Sequence, residues 1–352
     1  MFKSKALRTW CHKNLFNSKM NSFLSVVIVV ILFKFLSYFY AWFVTNAVWI
    51  GDAAACREAS GACVVFIKEK YNFILFGFYP RAEIYRPILC IVLLLSLVIY
   101  SSYEKNWKKC TLILWALLFL VSTILMGGGI FSLPIVESDQ WGGLPLTLIL
   151  SVVGIFVSYP LGIVLALGRR SKMPIIRIFS TCYIELIRGV PMISLLFMSS
   201  VMFPLFLPEG VVIDKIIRAQ IAIIMFVCAY MAEVVRGGLQ AIPRGQYEAA
   251  EALGLNYFQT MRLVILPQAL KVVIPPTVNT VIGMFKDTSL VIIIALFDLM
   301  STMKTALKDP EWLGFNVEGY IFIALIYFMF CFSMGKYSRT LEKKFNRKGT
   351  LT

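Results

Sequence analysis

Long apolar runs separated by short polar segments dominate the pattern along this chain. Eight runs stand out, at about 23–45, 87–101, 110–126, 145–167, 188–207, 218–236, 271–297 and 319–336. A helix needs roughly 20 apolar residues to cross a hydrocarbon core of about 30 Å. The second and third runs are short for that and the seventh is long. A β-barrel would instead show alternating segments of about ten residues, and no such alternation is present. The expected fold class is therefore all-α: a polytopic membrane protein with about eight transmembrane helices.

Composition agrees. Of 352 residues, 59% are hydrophobic and 15% charged, against about a quarter charged in soluble domains. The mean hydropathy is +0.80. The net charge of +15 would suggest nucleic acid in a soluble chain, but its distribution matters more. With the N-terminus placed in the cytoplasm, segments 1–22, 101–110, 168–188, 236–271 and 336–352 become cytoplasmic and hold 23 of the 34 basic residues. Five acidic residues fall inside and twelve outside. This is the positive-inside distribution, so the charge reads as a topology signal and no nucleic-acid partner is expected. Both termini are then cytoplasmic. The basic tail KYSRTLEKKFNRKG suits anionic lipid headgroups. The first run extends to about Ile50, too long for a removable signal segment, although Ala53-Ala54-Ala55 weakly resembles a cleavage site.

Eight cysteines and one histidine, His12, occur, with no Cys-x-x-Cys pair, so no metal site is expected. Cys56 and Cys63 are the two cysteines in the external loop 51–86. They can bridge if that side is oxidising; two free thiols are the other reading.

Segment 243–267 breaks the apolar pattern. Pro243 suits a first helical turn, and RGQYEAAEAL is rich in helix formers. Gly254 can end that helix in the left-handed conformation. Asn256 with Gln259 fits a capping box for a second helix, which Pro267 would end or kink. Ala249, Ala250, Ala252 and Gly254 leave little bulk, and Glu248 and Glu251 add charge beside them. Such a surface is either a socket for a partner protein or an ordinary surface hairpin.

The stretch EAAEALGLNYFQTMRLVILPQAL resembles the EAA loop of bacterial ABC-importer permeases. AEVVRGGLQAIPRGQ, IPPTVNTVIGMFKDTSL and IELIRGVPMISLLF resemble the polar amino-acid (histidine/glutamine permease-like) branch. Val190 stands where that branch usually has threonine, so a role for that hydroxyl is not carried over. GACVVFIKEKYNFILFGFYP with RAEIYRP resembles the extended permease subunit of the general L-amino-acid transporter.

The resemblance implies a type I ABC-importer five-helix core at 141–345 with the EAA loop at 243–267. Before it lies an extension, 1–140, with about three spans, and after it a basic tail, 346–352. It implies a transport subunit of an ATP-driven amino-acid importer in the bacterial inner membrane, and not an enzyme. Glu248, Ala249, Ala250, Glu251 and Gly254 would couple to a separate ABC ATPase dimer. ATP and Mg²⁺ would belong to that ATPase, since no G-x-x-x-x-G-K-[ST] occurs here. A second permease, sibling or self, would complete the pore. A periplasmic solute-binding protein would deliver L-amino acids.

Polar groups at membrane depth are costly and mark pathways. Asn279 lies two helical turns before Lys286, followed by Asp287, Thr288 and Ser289, with Pro275, Pro276 and Gly283 breaking the regularity. These residues are expected to line the substrate pathway, Asp287 facing an amino group; ties between spans are the other reading. Glu185 and Arg188, three apart, are expected to pair at a helix start, and by the resemblance Arg188 borders the route. Glu233 and Arg236 have the same spacing. The alternatives to an ABC importer are an ion-coupled secondary transporter and a non-transporting scaffold that keeps the hairpin.

Overall fold

The fold is that of a computed structural model describing residues 9–130 and 132–349, with side chains through Lys344. The extreme tail 346–352 and its lipid contact thus lie outside the described side chains. Among the described residues seven helices are long and apolar enough to cross a membrane, or eight if one bent pair is a single span. Helices are numbered from Lys19. The chain divides into two compact units, 1–70 with 309–319, and 71–308 with 320–352.

In the first unit α1, Lys19–Tyr40, continues as a widened turn to Thr45. No residue of α1 is buried, as suits a helix whose apolar side chains meet lipid. The expected external loop 51–86 is largely helical instead. It holds α2, Ala53–Glu58, and α3, Val64–Phe76. Asp52 caps α2 by accepting from the Ala55 N–H at 2.9 Å. Val48 pairs with Cys63, and a disulfide joins Cys56 to Cys63 across a Cα separation of 5.4 Å. Phe66 is fully buried and packs on Trp312 and Phe315, with centroids 5.8 and 6.3 Å away.

The second unit begins with α4, Tyr85–Ser101, and α5, Lys109–Gly127. Arg86 is completely buried. Its guanidinium donates to the carbonyls of Leu125 at 2.6 Å and Pro134 at 2.9 Å, beside Glu83 at 3.6 Å. Tyr79 donates to Met126 O at 2.9 Å. Burial pushes its hydroxyl up to about 12, with Arg86 pulling the other way.

The core is built on α6, Gly143–Arg169, against α9, Lys215–Ala241. Gly154, Ser158, Gly162 and Ala166 recur every four residues along α6. Such a stripe lets helix backbones close in within a membrane. A Cβ on Gly162 would stand 2.7 Å from Met231 Cβ and 3.1 Å from Ala232 N. Ser158 donates to Ile224 O at 3.2 Å across the same seam.

Further expectations are corrected. Segment 168–188, expected only as a cytoplasmic connection between spans, is mostly helical and forms α7, Pro174–Gly189. This helix is amphipathic, burying Ser180, Ile184 and Ile187. At Gly189–Pro191 the chain bends by 103° into the helical stretch Met192–Phe206, which begins with α8, Met192–Phe197. Proline lacks the N–H to continue the ladder and constrains the residue before it. The seventh run is also not one helix.

Its sequence forms α13, Ile274–Asp287, then a tighter 3₁₀ stretch, Thr288–Ile294, and a left-handed Ala295. The chain then bridges Phe297 and Asp298 to Gly142 and Gly143. The following connection contains α14, Leu299–Ala306, whose N-terminus Asp298 caps through the Met300 and Ser301 amides. Asp298 is buried, and that desolvation raises its pKa. The last helix, α15, runs Asn316–Gly349.

Candidate functional site: a capped hairpin, an arginine cluster and a polar helix face

The hairpin has the expected caps. Helix α10, Arg244–Ala252, ends where Gly254 takes φ +73°. The Gly254 N–H reaches Glu251 O at 2.9 Å and the Leu255 N–H reaches Ala250 O at 3.1 Å. Asn256 and Gln259 form a reciprocal capping box, at 2.9 and 3.0 Å, opening the short α11, Tyr257–Gln259. Pro267 does not stop the helical path. A widened turn over Thr260–Ile265 precedes it, and α12 continues from Leu266 to Val272. Proline sits in the first turn of α12, where its missing N–H costs least.

The base of the hairpin is anchored. Met261, Ile265 and Ala269 are buried in one cluster with Ala166, Ile184, Ala232, Val235 and Leu239. A Cβ on Gly238 would lie 2.4 Å from Val273 Cγ1, so this glycine permits close packing of α9 on α12. Gln268 donates to Gln246 at 3.0 Å, tying the two arms. Arg170 donates to Leu239 O at 2.9 Å and Tyr247 Oη at 3.2 Å. Arg170, Arg244, Tyr247 and Glu248 border a cleft of about 410 Å³ at the root of α10.

The tip is open. Glu248, Ala249, Glu251 and Gly254 are exposed, whereas Ala250 is buried and faces its own chain. Leu253, Tyr257 and Phe258 are 79%, 61% and 69% exposed. Leu253 and Phe258 were not singled out from the sequence. Their placement at a cap, outside every transmembrane run, was the available signal.

The second group joins three helices. Glu233 on α9 receives Arg236 at 2.9 Å through its Nε, with a further contact from Nη2. Arg169 at the end of α6 reaches the same carboxylate at 3.3 Å, and Arg188 at the end of α7 at 3.7 Å. Glu185 pairs with Arg169 at 2.7 Å. The expected Glu185–Arg188 pair is therefore replaced by two cross-helix pairs, while Glu233–Arg236 forms as expected. Three guanidiniums meet two carboxylates, leaving one excess positive charge. Arg188 also lies 5.7 Å from the Tyr230 ring centroid, and its Nε is buried with no hydrogen-bond partner.

The third group lies on α13 and the start of the 3₁₀ stretch that follows it. Asn279 and Lys286 are exposed, two turns apart on one face, with open space at the Cβ position of Gly283 between them. Asp287 and Ser289 are half-buried. Thr288 is fully buried and donates to Phe285 O at 2.9 Å. The structure thus brings Asn279 and Lys286 to one open face and packs Thr288 away from it.

Comparison with known proteins places these features. Residues 158–347 match the family model described as "Binding-protein-dependent transport system inner membrane component". The chain is 52% identical over 349 residues to the inner membrane amino-acid ABC transporter permease protein YhdY of Escherichia coli K12, covering 97% of this chain and 94% of the relative. It is 38% identical to the glutamate/glutamine/aspartate/asparagine transport system permease protein BztC of Rhodobacter capsulatus, covering 96% and 93%. A solved structure, "Crystal structure of an amino acid ABC transporter with histidines", matches with a TM-score of 0.52 at 32% identity, over 57% of this chain and 92% of that one. A membrane core with an anchored hairpin and this match together make the chain a member of the binding-protein-dependent inner-membrane permease family, a multi-pass subunit of an ABC importer.

Proposed function

We propose that this permease carries L-amino acids, with both termini and the 244–272 hairpin on the cytoplasmic side. The hairpin tip docks on a separate ABC ATPase dimer, which binds ATP and Mg²⁺. A second permease subunit completes the pathway, and a periplasmic binding protein supplies the solute. The names of the relatives support the substrate class, and the basic residues on the proposed inner side support the orientation. The ABC family match favours this reading over ion-coupled transport.

The observation that carries the reading is the hairpin itself: an exposed tip of small, charged and aromatic residues on a base buried in the core. A rigid base transmits displacement of the tip to α6, α7 and α9. ATP can drive transport only if its binding changes the relative stability of inward and outward forms. Along the pathway, Asn279 and Lys286 present polar groups from the open face of α13, with Asp287 and Ser289 at its end. Thr288 contributes by fixing the turn into the 3₁₀ stretch. Glu185 and Arg188 border the inner end of the route, where the excess positive charge suits a carboxylate.

The test is binding-protein-stimulated ATP hydrolysis by the reconstituted complex. Glu248→Arg should abolish the stimulation while leaving membrane insertion intact. Normal stimulation in that variant, or uptake without any ATPase, would overturn the reading.

A further inference from the structure

We propose that the disulfide-closed unit at residues 46–70 is a positioning device for segment 309–319, and that coupled transport depends on that grip. The two segments are some 240 residues apart in sequence, yet they form one compact unit. Hydrogen bonds, an ion pair and aromatic packing join them. Arg57 donates to Glu311 O at 2.7 Å, and the Cys63 N–H donates to Glu318 Oε1 at 3.0 Å. Lys70 pairs with Asp309 at 2.5 Å, and this pairing holds the Asp309 carboxyl below its ordinary range. Phe66 packs against Trp312 and Phe315, all three buried.

The disulfide bears directly on this grip. Cys56 precedes Arg57, and Cys63 supplies its own amide. Closing the Cys56–Cys63 loop therefore fixes two of the three donors that hold the distant segment, Lys70 being the third. Gly61 serves the same end, because a Cβ there would meet Asn46 O at 2.0 Å. A cross-link of this kind removes open conformations from the chain.

What the grip governs follows from chain order. The polar face of α13 leads through the 3₁₀ stretch into α14, then into 309–319, then into α15. Movement of α13 against α15 must be absorbed by the connection between them. With 309–319 held, the connection acts as a fixed pivot; released, it acts as slack. This inference rests on the reading of α13 as pathway-lining, and it gives the N-terminal extension a role in transport.

The experiment has two arms on the full transporter in nanodiscs. The first is hydrogen–deuterium exchange across 309–319, which needs no assumption about function. Cys56→Ser/Cys63→Ser should exchange there about tenfold faster than the unaltered protein. Unchanged exchange overturns the grip. The second arm is ATP hydrolysis with and without binding protein. In the double variant and in Arg57→Ala, which keeps the disulfide, stimulation should fall about fivefold with basal hydrolysis unchanged, since a charge-assisted hydrogen bond is lost. Arg57→Lys should recover part of it. Faster exchange with full stimulation overturns the dependence of transport on the grip. Absence of stimulation in the unaltered protein counts against the importer reading, and the exchange arm still decides the grip.

Discussion

Gly254 permits a quantitative test of how the hairpin is built. Its φ of +73° lies in the left-handed region, and no atom lies within 4 Å of a Cβ placed there. A substitution therefore introduces backbone strain without an internal clash. For an ordinary L-residue that strain is roughly 1–2 kcal/mol, equivalent to about a 5- to 30-fold loss of the bent corner. Asparagine tolerates the conformation much better, and a β-branched residue worst. Binding-protein-stimulated ATP hydrolysis should thus decline in the order Gly254, Gly254→Asn, Gly254→Ala, Gly254→Val, with equal amounts of each variant in the membrane. Asparagine is larger than alanine, so the series separates conformation from bulk. If activity instead follows side-chain volume, with Gly254→Ala milder than Gly254→Asn, the corner matters as a fitted surface and the backbone argument is wrong.

Four other substitutions probe the packing of the helical frame. Gly162→Leu should destabilise the α6–α9 seam by at least about 1–3 kcal/mol through overpacking, read as a lower Tm in detergent, because its Cβ would already be 2.7 Å from Met231 Cβ. Glu233→Gln should lower Tm far more than Glu185→Gln. Glu233 is 23% exposed and faces three arginines, whereas Glu185 is 55% exposed and in the range where an ion pair contributes about 0–1 kcal/mol. Arg86→Leu should cost about 1–3 kcal/mol for the Pro134 carbonyl left without a donor, while Leu125 O keeps the Tyr79 hydroxyl at 3.4 Å; the loss is again visible as a lower Tm, and an unchanged Tm would show that water replaces the guanidinium.

The parts of the fold set by local chemistry were legible in the sequence. Apolar runs gave the spans, and the Gly254 corner and Asn256–Gln259 box are defined within a few residues. The Glu233–Arg236 pair also forms within one turn. What was hidden depends on neighbours distant in sequence. Helix α7 was hidden in a basic cytoplasmic segment because its arginines lower the average hydropathy, although Ser180, Ile184 and Ile187 share its buried face. Glu185 and Arg188 stand at pairing distance along α7, yet Arg169 and Glu233 offer better cross-helix geometry. Thr288 looked like a pathway group beside Asp287, but the switch to 3₁₀ geometry turns it into the core. The helix Val64–Phe76 was concealed by a run shorter than a span and interrupted by Lys68, Glu69 and Lys70. Its aromatic partners lie beyond residue 309.

The account stands on the hairpin tip being a cytoplasmic docking surface. Tyr257 is well exposed there, so Tyr257→Cys provides a direct probe once the exposed Cys110 and Cys182 are replaced by serine. A membrane-impermeant maleimide should label it in inside-out vesicles stripped of the ATPase, fail to label it in right-side-out vesicles, and be blocked when the ATPase is added back. Labelling from the opposite face, or labelling unaffected by the ATPase, would contradict the account.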